Sequence, residues 1–219
     1  MTKKHQNEPI VRRAYETRVS ADPETHTVVG MPVVFDSPTV IRDWWSGDEY
    51  TEIIARDALA NTDMSDVLLC VNHEYEKIPL ARSKNGKGTL SLEVTDTGLS
   101  MRASLDTERN PEAAALYSAI ERGDITGMSF MFRVRGDSWQ GLETDQPIRT
   151  ITDISIIHEV SAVNDPAYPQ TSISARSSEE TEKSVLEEAR ARLHAEQESE
   201  AKRLLELEKE KNKVRTIWI

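Results

Sequence analysis

The distribution of glycine and proline along the 219-residue chain is the feature that most limits its possible folds. Up to Arg176, short apolar runs alternate with Gly, Pro, Asp and Asn, a pattern typical of strands and turns. Between Ser177 and Lys213 there is no glycine or proline, and Glu, Lys, Arg, Ala and Leu dominate. These five are strong helix formers, so the sequence predicts a folded region followed by a charged helical tail.

Most of the region before Arg176 is predicted to form β-strands. Residues 10–19 alternate loosely, and residues 27–35 are β-rich with an internal Gly and Pro, which favours a bent or edge strand. The continuous apolar run at residues 66–72 indicates a strand buried on both faces. Further strands are predicted for "ITGMSFMFRV", for residues 150–157 and for "HEVSAVNDPAYP".

A hairpin and two helices complete this pattern. Residues 89–105 form two alternating runs around Asp96-Thr97-Gly98, which predicts a β-hairpin. Residues 110–122 begin with Asn-Pro-Glu and are followed by Gly123, which are start and stop signals of a helix. Residues 55–61 are a candidate for a short helix. Since no βαβ alternation is present, we expect an α+β domain built on an antiparallel sheet or barrel.

The tail has two interpretations. Leucines 186, 193, 204 and 207 fit only parts of a heptad repeat, so a coiled coil is weakly supported. The tail is therefore either a solvated single helix, or an interaction helix or removable extension. The apolar end at residues 217–219 favours the second interpretation, because an apolar terminus usually has a partner.

Charge and cysteine content exclude several classes of function. The formal net charge of −11 argues against binding of nucleic acid as the main function, which needs clustered Lys and Arg. Cys70 is the only cysteine, so no internal disulfide forms, and no Cys/His cluster has zinc-ligand spacing. There is no apolar run of ~18 residues and no secretory signal, so we expect no membrane span and a reducing cytoplasm.

Ser129 is the first candidate for chemistry. On a strand over residues 127–134, Met128 and Phe130 would face the core, while Ser129 and Arg133 would share the opposite face. Gly127 would let the backbone approach a ligand closely. A serine acts as a nucleophile only where a base takes its proton, so on its own Ser129 is equally a plain strand residue.

His73 is the candidate base. It and His158 are the two histidines that adjoin apolar strands, and an imidazole at a strand end can be partly buried. A purely structural histidine is the other interpretation. Cys70 is a rival nucleophile, but it lies three residues before His73, so on one strand the two would point to opposite faces. Cys70 is therefore interpreted as core packing.

Glu159 is the candidate that would orient the imidazole. It lies in the mostly apolar "IIHEVSAV", where a buried carboxylate is costly unless paired. His158 is its neighbour and would face the other way on a strand. Either residue could join a site with Ser129, but not both, and an exposed Glu159 on an edge strand is also possible.

Four segments in order resemble the tailed-phage prohead protease family, the serine proteases of head maturation. They are "LLCVNHEYEKIPLAR", "GTLSLEVTDTGLSMRASL", "LYSAIERGDITGMSFMFRV" and "HEVSAVNDPAYPQTS". The most specific parts are Asn72-His73, the G-x-S-F block that begins at Gly127, and the block from Glu159 to Pro169. The resemblance covers about residues 10–176.

This resemblance implies a serine peptidase distantly similar to herpesvirus assembly proteases, with a barrel-like β-core, flanking helices and no required metal or organic cofactor. Ser129 would be the nucleophile, His73 the base and Glu159 the third member, with His158 as the alternative to Glu159. The enzyme would act inside the immature head in the host cytoplasm. Its partners would be the major capsid protein, the scaffold and itself, by autocleavage or as a homo-oligomer.

The expected organisation is a flexible N-terminus at residues 1–9, a protease domain at 10–176 and a charged helical tail at 177–219. The tail would hold the protease among scaffold helices or be removed on activation. The competing hypothesis is a non-catalytic scaffold or assembly factor on the same fold, with Ser129 as a structural residue.

Overall fold

A computed structural model describes residues 8–15, 19–22, 25–42, 47–164 and 184–217, with the side chains of Tyr15 and of residues 210–217 left aside. Within these ranges the chain forms a mixed sheet, an antiparallel sheet and two α-helices. The strands are β1 (Ile10–Tyr15), β2 (Ser20–Asp22), β3 (Thr27–Val34), β4 (Thr39–Arg42), β5 (Glu49–Ile54), β6 (Asp66–Val71), β7 (Ala81–Lys84), β8 (Lys87–Gly88), β9 (Leu90–Thr95), β10 (Gly98–Ser104), β11 (Gly127–Gln140) and β12 (Ile148–Val163). The helices are α1 (Pro111–Glu121) and α2 (Val185–Ile217).

The larger sheet has eight strands and is organised around β12. Its main order is β1-β11-β12-β6-β7-β8, and β5, which also carries β4, pairs with the first half of β12. β12 runs antiparallel to β11 but parallel to both β5 and β6. The sequence predicts residues 150–157 and the block at 158–169 as separate strands, whereas residues 148–163 form one strand of 16 residues. Residues 165–169 lie outside the described residues.

The second sheet has the order β2-β3-β10-β9 and packs against the first. β9 and β10 form the predicted hairpin, in which Gly98 has φ +156° and a side-chain Cβ would lie 2.0 Å from the Val33 carbonyl oxygen. The close pairing of the hairpin with β3 therefore requires glycine at this position. β3 pairs with β10 along its length, and the register shifts between Leu99 and Met101, in line with the predicted bent or edge strand. β2 pairs with residues 27–29 alone, so the rest of β3 has one partner strand among the described residues. The buried side chains of β3 join the core between the sheets.

Helix α1 begins as the sequence predicts, and the two helices differ in how many of their side chains are buried. The Asn110 side chain accepts hydrogen bonds from the backbone of Glu112 and Ala113, and α1 ends before Gly123, which has φ +78°. The short helix candidate at residues 55–61 is a 3₁₀ turn, Arg56–Leu59. Among the described side chains of α2, the buried ones are Leu186 and Ala189 in its first turns. Residues 177–183 of the expected tail lie outside the described residues.

The expectation of an antiparallel barrel-like core is wrong in two respects. Among the described strands neither sheet closes on itself, since β1 and β8 end the larger sheet without pairing to each other. The larger sheet is also mixed, because β12 is long enough to take a parallel partner along each half, β5 at one end and β6 at the other. The predicted α+β class is confirmed, and the similarity to herpesvirus proteases stays a prediction.

A buried charged cluster ties β1 to the centre of the larger sheet. Glu52 of β5 accepts hydrogen bonds from Arg13 Nε at 2.5 Å and Nη2 at 2.9 Å, and from Arg149 Nη1 at 3.1 Å. Arg149 also donates to Asp137 Oδ2 at 2.7 Å. Glu52, Arg13 and Arg149 are all nearly inaccessible to solvent, so each charge depends on its partners.

Candidate active site

Ser129 lies at the centre of the larger sheet, directly opposite Ser161 of β12. Directly opposed residues of an antiparallel pair share a face, so the two hydroxyls project from the same side of the sheet. Ser129 and Ser161 are both fully buried. On the other flank of β11, Ala14 of β1 stands opposite Ser129. The candidate nucleophile therefore has a strand on each side.

His73 reaches this row of side chains from a turn at the end of β6. Asn72 and His73 both have left-handed backbone conformations, with φ +48° and +63°. The turn is fixed by hydrogen bonds from Asn72 N to the Ala162 carbonyl at 3.0 Å and from His73 N to Ser161 Oγ at 3.1 Å. Two consecutive residues in this uncommon conformation reverse the chain abruptly and turn the imidazole back over the sheet.

The imidazole of His73 lies between a hydroxyl and a carboxylate. Its Nε2 is 2.7 Å from Ser129 Oγ, and its Nδ1 is in hydrogen-bond contact with Glu159 Oε1. The other carboxylate oxygen of Glu159 accepts a hydrogen bond of 2.5 Å from Ser161 Oγ. Glu159 is fully buried, whereas 15% of the His73 side chain is exposed.

This arrangement fixes the direction of proton transfer. A buried carboxylate needs donors, so the proton of a neutral His73 ring belongs on Nδ1, where Glu159 accepts it. Nε2 then presents its lone pair to Ser129 Oγ. That is the tautomer in which a histidine accepts the proton of a serine hydroxyl.

A β-bulge decides which of His158 and Glu159 stands on the face of Ser129. Ile157 pairs with Phe132, but the next partner of β11, Met131, pairs with Glu159, so the register skips His158. In a regular ladder His158 would oppose Met131 and share the face of the site. Glu159 would oppose Phe130 and point to the other face of the sheet. Because of the extra residue, Glu159 and not His158 contacts the His73 ring.

Arg133 and Cys70, which the sequence analysis placed near the candidate residues, do not contact Ser129 through any described hydrogen bond. Arg133 is four residues from Ser129, about 13 Å along the strand, and its guanidinium donates to the Glu8 carbonyl. Cys70 is buried and stands opposite Ser161 in the parallel β6–β12 pair, so it is on the same face as the site. Burial, together with the charges of Glu159 and Glu74, raises the pKa of this thiol to about 12. A thiol that stays protonated is a poor nucleophile, in line with its prediction as core packing.

Two parts of the site were not anticipated from the sequence. Ser161 contacts both Glu159 and the His73 backbone, and the only signal for it is its position two residues after Glu159 on a strand, hence on the same face. The second is the Arg13 carbonyl, which accepts a 2.7 Å hydrogen bond from Ser129 Oγ. No sequence pattern indicates this backbone contact. In the described ranges no three His, Cys, Asp or Glu side chains could together hold a metal ion.

A buried carboxylate, an imidazole and a serine hydroxyl in one hydrogen-bonded row are the geometry of the serine hydrolases. A family model described as caudovirus prohead serine protease matches residues 13–184, and the chain belongs to this family of serine endopeptidases. Its general function is thus that of a prohead protease, acting on capsid or scaffold proteins within the phage procapsid. Searches among curated proteins and among solved structures gave no match. No helix of the described ranges is long and apolar enough to cross a membrane.

Proposed function

We propose that Ser129, His73 and Glu159 are the catalytic residues of this prohead protease. The observation that carries the proposal is the His73 ring, whose Nε2 is 2.7 Å from Ser129 Oγ while its Nδ1 contacts the buried Glu159. A strand serine, a histidine from another strand end and a carboxylate have no structural need to meet in this order. The separation of His73 and Ser129 is within the range for direct proton transfer.

In the proposed mechanism Ser129 Oγ attacks the scissile carbonyl carbon while His73 Nε2 takes the hydroxyl proton. The tetrahedral intermediate collapses when the same proton passes from Nε2 to the leaving amine, which breaks the peptide bond and leaves an acyl-serine ester. Water then attacks the ester with His73 again as base, and the carboxylic acid product leaves with Ser129 restored.

Glu159 has two roles in this mechanism. Its contact with Nδ1 keeps the ring in the tautomer that can accept a proton on Nε2, and its negative charge stabilises the imidazolium that forms after proton transfer. Both roles depend on a buried carboxylate with few competing donors, because its attraction to the imidazolium is strong where water is excluded. The described contacts of Glu159 are limited to His73 and Ser161.

The proposed substrates are the scaffold, or the scaffolding part of the major capsid protein, and the protease itself. The mostly exposed helix α2 supports placement among scaffold helices, since it carries Leu204, Leu205 and Leu207 on its surface. A chain ending at Arg176 tests this part of the proposal. We expect reduced incorporation into proheads, and undiminished incorporation would contradict a targeting role for the tail.

The catalytic proposal is tested by co-expressing the protein with its capsid precursor and measuring intact masses of both. The variant is Ser129→Ala, and the matched control is Ser83→Ala, which removes the hydroxyl of a buried serine on β7. We expect the wild type and Ser83→Ala to shorten the capsid protein or themselves, and Ser129→Ala to leave both whole. Proheads that form with uncleaved proteins in every case would favour a non-catalytic assembly factor.

A further inference from the structure

We propose that Ser161 is a positioning residue of the site, which rests on the function proposed above. Its hydroxyl contacts both halves of the His73–Glu159 pair. Ser161 Oγ donates its proton to Glu159 Oε2 at 2.5 Å and accepts the backbone N–H of His73 at 3.1 Å. One hydroxyl has a single proton and two lone pairs, so both contacts form at the same time.

One of these contacts orients the carboxylate of Glu159, and the other holds the backbone of His73. The bond to Glu159 occupies Oε2, which leaves Oε1 directed at the His73 ring. The bond from His73 N holds the left-handed backbone of His73, from which the imidazole side chain extends. Ser161 is fully buried, so water cannot replace its hydroxyl readily. Its removal would leave a carboxylate oxygen and a backbone donor short of partners.

Ser161 does not touch the reacting atoms in this arrangement, since its contacts are with Glu159 and the His73 backbone. Its effect on catalysis is therefore expected through geometry. Displacement of a catalytic group by about 1 Å costs roughly 100-fold in rate, so Ser161→Ala should reduce cleavage by about that factor. Ser161→Thr keeps the hydroxyl and is expected to recover most of the activity.

The test needs a measurement that reports the His73–Glu159 contact itself and does not change when the protein only loses stability. In protein labelled with ¹⁵N-histidine, we expect the Nδ1 proton of His73 shared with Glu159 to give a strongly downfield resonance. We expect this resonance to be lost or shifted in Ser161→Ala, to return in Ser161→Thr and to be unchanged in Ser83→Ala. Capsid cleavage by the same variants is measured in parallel.

The outcomes separate this proposal from the proposed function. A Ser161→Ala protein that keeps the wild-type resonance and the wild-type cleavage overturns the positioning role. Absence of the resonance in the wild type overturns it as well, because the His73–Glu159 contact is its premise. A wild type with the resonance but without cleavage in proheads contradicts the proposed function and leaves the positioning of His73 by Ser161 intact.

A different contact carries a second inference, that strand β1 keeps the protease latent. Ser129 Oγ donates to the Arg13 carbonyl at 2.7 Å, the same distance that separates Oγ from His73 Nε2. A hydroxyl has one proton, so the carbonyl of β1 and the imidazole compete for it. While β1 is in place, the Ser129 hydroxyl points to the Arg13 carbonyl in a fraction of the molecules, and in that fraction His73 cannot take its proton.

β1 also occupies the position of an extended peptide beside the nucleophile. It is antiparallel to β11, with Ala14 opposite Ser129, in the manner in which peptides add to a sheet edge. The Arg13 carbonyl turns its oxygen towards Ser129 Oγ, whereas attack requires the carbonyl carbon to face the nucleophile. β1 therefore lies beside the fully buried Ser129 in an orientation that resists cleavage.

The side chain of Arg13 holds this covering strand in place. It forms a two-bond ion pair with Glu52, and both side chains are at most 3% exposed. Among the described strands β1 pairs with β11 alone, so it can leave without breaking another ladder. We infer that displacement of β1 opens the edge of β11 to substrate, which would confine activity to molecules in which the strand has moved.

The test measures labelling of Ser129 by a fluorophosphonate, located by mass spectrometry. Labelling scales with the fraction of uncovered molecules, so Arg13→Gln is expected to speed it by at least about tenfold. The matched control is Arg12→Gln on the same strand, since Arg12 takes no part in the Glu52 ion pair. Equal labelling rates in the wild type and Arg13→Gln would overturn the inference.

A reversible crosslink tests the same inference within one protein. Ile10 and Arg133 are cross-strand partners, and antiparallel partners lie about 4.5–5.5 Å apart at Cα, within disulfide range. In Ile10→Cys/Arg133→Cys the oxidised form should be labelled at least about tenfold more slowly than the reduced form. If the two forms label equally, β1 need not move. Cleavage in proheads tests the proposed function separately.

Discussion

Ser129 and Ser161 stand directly opposite each other across β11 and β12, and each contacts a different part of His73. Ser129 Oγ lies 2.7 Å from the ring, while Ser161 Oγ accepts the backbone N–H at 3.1 Å. Ser161 thus holds the backbone of His73, and Ser129 contacts the far nitrogen of its ring, Nε2. A single cross-strand register holds both hydroxyls, because neighbours on a ladder keep their separation unless the ladder itself breaks.

Replacement of Glu159 by glutamine should reduce cleavage by about 10⁴-fold, the scale known for such a change in a serine–histidine–carboxylate site. The amide keeps the shape but can present an N–H to Nδ1, which favours the wrong ring tautomer. The measurement is the rate of capsid cleavage in proheads, with Glu93→Gln on the exposed face of β9 as control. A Glu159→Gln rate within tenfold of wild type would exclude Glu159 as the orienting carboxylate.

Cys70 should resist alkylation in the folded protein. Burial and two nearby carboxylates raise the pKa of its thiol to about 12, so almost no thiolate is present at pH 8. We expect iodoacetamide to label Cys70 slowly in native protein and rapidly in urea, as followed by intact mass. Cys70→Ala should retain cleavage. Rapid native labelling, or loss of cleavage in Cys70→Ala with the fold intact, would show that the thiol takes part in chemistry.

Removal of the buried charge on Glu52 should destabilise the fold strongly. Glu52→Gln leaves Arg13 and Arg149 without their shared carboxylate, and loss of one partner from a buried pair typically costs about 3–5 kcal/mol. Urea unfolding measures this change. Asp66→Asn breaks the exposed pair with Arg82 and serves as the control, for which we expect a much smaller effect. Equal losses in the two variants would contradict the importance of burial.

Glu52 should also contribute to the loss of stability at low pH. Burial by itself raises the pKa of Glu52, but the charges and hydrogen bonds of Arg13 and Arg149 outweigh it and lower the pKa below its ordinary value of 4.5. The ion pair therefore adds stability above pH 4.5, and this contribution is lost as the pH falls through the lowered folded-state pKa. The free energy of unfolding should decline less steeply with acid in Glu52→Gln. An unchanged slope would show that other groups control acid unfolding.

The turn that carries His73 should tolerate glycine and reject a β-branched residue at position 72. Asn72 has φ +48°, which costs roughly 1–2 kcal/mol for a side chain that cannot relax there. Asn72→Gly is expected to fold with near wild-type stability, and Asn72→Val to lose about that amount together with cleavage. Thermal unfolding and capsid cleavage measure both effects. Matching results for the two variants would mean that the left-handed turn is not needed.

The sequence by itself determined the local elements and the residue types of the site. Start and stop signals gave α1, turn chemistry gave the β9–β10 hairpin, and the apolar run of β6 placed His73 at a strand end. These features depend on neighbours along the chain, so a single sequence carries them. Strand positions made Ser129, His73 and Glu159 candidates, and the family resemblance implied their roles.

Only the tertiary structure decided how these residues meet. The choice between His158 and Glu159 depends on a bulge in the β11–β12 ladder, and a bulge is a property of two strands. Ser161 and the Arg13 carbonyl enter the site because strands distant in sequence lie side by side. The mixed, open larger sheet likewise follows from the parallel partners of β12. Pairing between distant strands leaves no local pattern, which is why the residue types were predictable and their arrangement was not.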